Sequence, residues 1–224
     1  MASRVVAGAA AAAFALAAWA ALDPARGALA VLLAAFAVVV AGFGWLERGT
    51  IAARDVTLVA TLAGLAAAGR VLFAPVPGVQ PVTVVVAAAG VALGPRRGFA
   101  VGAVAALASN FFLGQGPHTP WQMLAWGACG LLGGVLAPVL RGRIAFTAFC
   151  VALGFAFGTV MDIWLWYGFY PHTEAALLAR LAAGLPFNVA HAAGNLALAL
   201  VAGPELRRVL GRFARRSRTE VVWA

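Results

Sequence analysis

Eight apolar runs separated by glycine, proline and charged residues fill nearly the whole chain: 5–22, 28–46, 52–73, 82–94, 97–113, 121–140, 144–168 and 174–202. That many long runs cannot be hidden inside a water-soluble domain of 224 residues, so the chain needs lipid as its solvent. A backbone exposed to lipid must satisfy its own hydrogen bonds, so every run is expected to be helical. The sequence therefore reads as an all-α, polytopic membrane helix bundle. Its composition agrees, with 64% hydrophobic residues, 10% charged residues and a mean hydropathy of +0.96.

The charges then orient the runs. All 16 basic residues are arginine, and they alternate between loops. With the N-terminus in the cytoplasm, Arg4, Arg48, Arg54, Arg96, Arg97, Arg141, Arg143 and the tail arginines 207, 208, 212, 215, 216 and 218 lie inside, and only Arg26, Arg70 and Arg180 lie outside. The positive-inside rule selects this orientation, with both termini cytoplasmic. The lack of lysine beside abundant alanine and glycine points to a GC-rich bacterial coding sequence, and so to the cell (inner) membrane. A net charge of +9 would suggest nucleic acid for a soluble protein; here anionic lipid headgroups are the natural counter-ions and no nucleic-acid partner is expected. The first run ends near an Ala18-Trp19-Ala20 motif but exceeds an ordinary signal-peptide core, so it reads as a retained helix. Cys129 and Cys150 sit in apolar runs without metal-ligand spacing, which implies packing and neither a metal nor a cofactor.

Polar residues divide the chain into three parts. Residues 1–50 form an apolar hairpin, 51–203 a six-helix core that holds every intramembrane polar group, and 204–224 a basic cytoplasmic tail. The fourth run, at about 20 Å, is too short for a hydrocarbon layer of about 30 Å. The preceding segment 73–81, with three prolines, is therefore expected to dip into the outer half of the bilayer.

Several residues inside the core could carry chemistry. Asp162 is the one acidic residue deep in a run and needs a partner, for which Arg70 and Arg180 lie at matching depth. On the last run Arg180, Gly184, Asn188, His191 and Asn195 share one stripe, which should face the interior. Gly98, Gly102 and Ala106 lead along one face to Asn110, as Gly154 and Gly158 lead to Asp162. Ala60, Gly64 and Ala68 at four-residue spacing, with Ala63 and Ala67 beside them, give the third run a face without bulk, suited to close helix approach. Ser109 and His191 could make a dyad by residue type, but Ser109 lies in Leu107-Ala-Ser-Asn110 and not in a nucleophile loop, so no catalytic residue is assigned. The outer loop 113–122 presents Gln115, His118, Trp121 and Gln122 without a formal charge, and the next outer loop adds Tyr167. Amides and aromatics on one side of a membrane suit a flat, hydrogen-bonding heterocycle.

Over residues 52–202 the sequence resembles the substrate-binding S components of energy-coupling factor (ECF) vitamin transporters. The resemblance rests on Val79-Gln-Pro-Val-Thr83, Gly94-Pro-Arg-Arg-Gly-Phe99 and above all Ser109-Asn-Phe-Phe-Leu-Gly-Gln-Gly-Pro-His-Thr-Pro-Trp-Gln-Met123. It implies a vitamin pocket near the outer face, with cobalamin or a precursor favoured. It would be lined by Arg70, Gln80, Asn110, Gln115, His118, Trp121, Gln122, Asp162, Tyr167, Arg180, Asn188 and His191. The resemblance also implies docking onto a transmembrane coupling subunit that sits on two ABC ATPases. Its A-x-x-x-A docking motif would fall on Ala63 and Ala67, or in the other register on Ala60 and Gly64. The sequence has no Walker A motif and no lysine to fill one, so ATP hydrolysis belongs to partners. The alternative from a different class is a membrane scaffold or assembly factor.

Overall fold

A computed structural model describes residues 2–21, 23–26, 29, 30, 32, 33, 36, 37, 39–41 and 53–216. Among these residues all regular structure is helical: α1 (Ala2–Ala21), a 3-10 turn (Pro24–Arg26), α2 (Ala53–Leu72), α3 (Pro81–Leu93), α4 (Pro95–Leu113), α5 (Thr119–Val135), α6 (Arg143–Phe169), α7 (Glu174–Val201) and α8 (Gly203–Arg216). The described residues between 29 and 41 that belong to the second run are helical as well. The remainder of that run, with Glu47 and Arg48, lies outside the described residues. Three helices, α2 from Asp55, α6 and α7, are long and apolar enough to cross a membrane, and the chain is a membrane protein built as a helical bundle.

Local chemistry explains where the helices start. Pro81, Pro95 and Pro120 occupy the first or second positions of α3, α4 and α5, where a missing N–H costs no hydrogen bond. Gly94 alone separates α3 from α4, at a φ of +93° that a residue with a side chain rarely adopts. Thr173 caps α7 by accepting from the Ala176 N–H at 3.2 Å, with Glu174 in the first turn beside the positive end of the helix dipole. Helices joined by a short link contact each other from α2 to α7, and α8 follows α7 after the single residue Ala202. The bundle consequently has a loop end, with segments 73–80, 114–118 and 170–173, and an arginine end, with residues 94–97, 136–142 and α8.

The short helix turns out to be the axis of the fold. α3 contacts α2, α4, α5, α6, α7 and α8. Val82, Val84, Val86 and the run Ala87 to Gly90 are all buried. A helix that is apolar all round belongs in a core, and a helix walled by protein on every side has no need to reach both surfaces. Segment 73–80 covers its start: Gly78 lies against Ala190 and Val79 against Gly194, both on α7. α8 covers its other end, with Leu210 only 4% exposed and joined to the core cluster. Residues 204–216 of the expected tail are therefore part of the packed bundle. The expected sixth run also ends sooner, because α5 stops at Val135 and a turn leads to α6.

Backbones meet where α3, α4 and α5 come together. A methyl group on Gly98 would overlap the Gly130 carbonyl, one on Gly130 would overlap that of Gly98, and one on Gly90 would also strike Gly130. The glycine stripe of α4 is thus a packing surface. By contrast Gly64 has nothing within 4 Å of where its methyl group would be. Gly130→Val should lower stability by about 1–3 kcal/mol through overpacking, whereas Gly64→Ala should raise it by about 0.5–1 kcal/mol from helix propensity. Unfolding midpoints of the purified variants in one detergent check both signs.

Candidate functional site

Arg70 organises the first wall of the site. It sits in the last turn of α2, 7% exposed, and spends its donors on four neutral acceptors. Nε donates to Gln80 Oε1 at 3.2 Å, Nη1 to Ser109 Oγ at 2.6 Å and Asn110 Oδ1 at 2.5 Å, and Nη2 reaches Gln122 Oε1 at 3.5 Å. The guanidinium also lies over the Trp126 ring, 4.8 Å from its centroid. Asn110 holds the set in place by donating to Gln122 Oε1 at 2.8 Å and Thr119 Oγ1 at 2.9 Å. Four chain segments, α2, 73–80, α4 and α5, therefore converge on one cation. Among the described residues no carboxylate is paired with it.

The opposite wall comes from α6 and α7. Asp162 Oδ1 accepts from Arg180 Nε at 3.1 Å and Nη2 at 2.9 Å, and its Oδ2 accepts from Asn188 Nδ2 at 3.0 Å. Of the two partners the sequence allowed, Asp162 takes Arg180. Asp162 and Asn188 fit only because the helices face each other through glycine: a methyl group on Gly184 would overlap the Asp162 carboxylate, and one on Gly158 the Asn188 amide. The ion pair is largely buried, at 9% exposure for Asp162 and 21% for Arg180.

Between the walls lies a cavity of about 240 Å³, lined in part by Arg70, Gln80, Gln122, Asp162, Arg180 and Asn188. Trp126 and Phe157 form its aromatic surface, stacked at 4.2 Å between centroids and 24° between planes. Behind that surface the Thr83 hydroxyl bridges Trp126 Nε1 at 3.1 Å and His191 Nε2 at 3.0 Å, so neither ring can tilt freely. The formal charges on the cavity wall are those of Arg70, Arg180 and Asp162 and sum to +1. A net positive charge inside an apolar bundle is costly unless something negative shares it.

The structure thus gathers six of the proposed binding residues around one cavity and puts two more in support. Asn110 lies directly behind Arg70, and His191 lies behind Phe157 at 5.3 Å between centroids. Four residues lie elsewhere. Gln115 folds back to donate to the Leu107 carbonyl at 3.1 Å, His118 packs edge-on to Trp164, Trp121 is half-buried off the cavity wall, and Tyr167 stacks on His172 at 4.8 Å. Loop 114–118 therefore braces α5 through Thr119, which donates to Gln115 Oε1 at 2.9 Å. Asn195, deeper on the α7 stripe, bonds the Cys150 carbonyl at 3.0 Å and joins helices. Ser109 and His191 are held by different partners: Ser109 accepts from Arg70 and donates to the Ala106 carbonyl, while His191 bonds Thr83.

Sequence reasoning passed over Trp126, Phe157, Met161 and Phe187, which look like ordinary apolar filling. Spacing offered a signal for two of them, since Trp126 follows Gln122 by four residues and Phe187 adjoins Asn188. On the small-residue face of α2, Ala63 and Ala67 are buried in the core, while Ala60, Gly64 and Ala68 form an exposed stripe.

Asp162→Asn should cost about 3–5 kcal/mol by stranding the Arg180 charge. Adding Arg180→Gln to it should restore part of that loss, a coupling that thermal unfolding of the two single variants and the double variant measures.

A family described only as one of unknown function, DUF6580, matches residues 49–206, a stretch that runs from just before α2 to the start of α8. No curated protein and no solved structure matches the chain.

Proposed function

Starting from the fact that the chain belongs to DUF6580, we propose that it is the substrate-binding subunit of an ATP-driven importer, of the ECF S-component kind, and that it captures a small planar anion. The observation that carries this reading is Arg70, a buried cation with no carboxylate partner among the described residues, facing a cavity walled by amides and aromatic rings. A carboxylate or phosphate on a ligand would supply the missing negative charge. Gln80, Gln122 and Asn188 would meet its hydrogen-bonding edge, and Trp126 with Phe157 its ring face. A cavity of about 240 Å³ lies below the usual range of about 300–1,000 Å³ for drug-sized ligands, which favours a vitamin of one or two rings over cobalamin. A corrin would require α6 and α7 to move away from the Arg70 wall.

In this reading the loop end faces outward and the arginine end faces the cytoplasm, with both termini inside, in keeping with the arginine distribution. A coupling subunit would dock against the exposed stripe of Ala60, Gly64 and Ala68, and two ATPases would supply the energy.

Tryptophan fluorescence of the purified protein, titrated with a panel of small carboxylate-bearing vitamins and their amides, tests the binding. A carboxylate ligand should bind in preference to its amide, and Arg70→Gln should weaken it about 10- to 100-fold, the worth of one charged hydrogen-bond set. No binding across the panel, or equal binding by Arg70→Gln, overturns the reading. Gly64→Trp should keep vitamin binding while abolishing uptake in cells, whereas Ala63→Trp should lower stability because Ala63 has no free space around it.

A further inference from the structure

The arginine end holds a second cavity, of about 590 Å³, between α8 and the helices above it. Its lining includes Arg141, Arg143, Arg207, Arg208 and Arg215, and none of its lining residues is acidic. Among the described residues Glu205 is paired with Arg208 at 2.6 Å and approached by Arg212 at 3.9 Å, and no carboxylate is paired with Arg141, Arg143 or Arg207.

Two of these arginines are fixed in place by carbonyls. Arg207 donates to the carbonyls of Leu140 and Arg141, both at 2.7 Å, and lies over the Phe146 ring at 4.8 Å. Arg143 donates to the Leu200 carbonyl at 2.8 Å. Carbonyl dipoles hold a guanidinium without cancelling its charge, so the cations are presented in a fixed arrangement. Beside them the wall is apolar, with Val91 from α3, Phe146 from α6 and Ala199 from α7. α8 itself carries Val209 and Phe213 exposed among its arginines. A basic helix with apolar side chains between its charges is suited to lie in the headgroup layer.

We propose that this cavity is a binding site for the headgroup of an anionic phospholipid, whose phosphodiester sits among the arginines. Charge complementarity identifies the headgroup, and the exposed Val209 and Phe213 of the same basic helix identify an amphiphile as its carrier. An acidic protein surface would satisfy the arginines and leave Val209 and Phe213 bare. The site is independent of the vitamin reading, since it lies at the other end of the bundle and shares no residue with the Arg70 cavity. Its consequence is structural: a lipid there ties α8, the lid on the buried end of α3, to the membrane.

Native mass spectrometry of the full chain in detergent, together with unfolding midpoints, tests this with phosphatidylglycerol, phosphatidylcholine of the same acyl chains, and inorganic phosphate. Phosphatidylglycerol should remain as one discrete adduct and raise the midpoint. Phosphatidylcholine should bind at least about ten-fold more weakly, and phosphate alone should give no adduct. The double substitution R141Q and R208Q changes two exposed side chains and should weaken phosphatidylglycerol about 10- to 30-fold without moving the lipid-free midpoint. If that midpoint does fall, retention of phosphatidylglycerol by the unaltered protein at high salt decides instead: loss supports the site and undiminished retention overturns it. Equal retention of the two lipids, filling by phosphate alone, or displacement of phosphatidylglycerol by polyglutamate would each overturn the proposal, the last in favour of an acidic protein partner.

Discussion

A single guanidinium, buried and spread over neutral acceptors, holds the loop end of this bundle together. Arg70 donates to segment 73–80, to α4 and to α5, so the helices around α3 cannot separate there without exposing a cation to hydrocarbon. Hydrogen bonds to a charged group are stronger than neutral ones, and four of them leaving one guanidinium tie the cluster together. The opposite wall is closed in another way, by an ion pair inside the α6 and α7 hairpin. One wall therefore carries an uncancelled charge and the other a cancelled one. Their difference gives the cavity wall its net positive charge.

Much of this was legible in the sequence, for reasons tied to particular residues. The α7 stripe of Arg180, Gly184, Asn188, His191 and Asn195 obeys helical spacing in a region where polar groups cannot face lipid, so its orientation followed directly. Asp162 had to have a partner, and depth along the helices narrowed the choice to two arginines. Which one it takes depends on how α6 and α7 pack through Gly158 and Gly184, and helix pairing is not written in either helix alone. The helix content of the runs was equally clear because lipid leaves the backbone few options.

Other parts were hidden because burial is a property of neighbours. α3 looked like a span that falls short, yet it is the axis of the bundle, and its length reflects protein on all sides. Residues 204–216 looked like a solvated basic tail, since five arginines outweigh Leu206 and Leu210 in composition; folded as α8, they turn those leucines toward α3. Gln115, His118, Trp121 and Tyr167 drew attention as polar and aromatic residues in loops, but loops must also satisfy themselves, and Gln115 spends its amide on that. Trp126 and Phe157, which do face the cavity, were camouflaged in apolar helices.

The glycines opposite Asp162 and Asn188 also govern how the molecule can deform. With no side chain between them, α6 and α7 pack against each other along most of their length, as a close-packed beam. Against α5 the same beam makes only light contact, and at its base the turn before α6 is clamped by Arg207. The cavity lies along that lightly packed face, where Gly78, Val79 and Thr83 tie α7 to the first wall beside it.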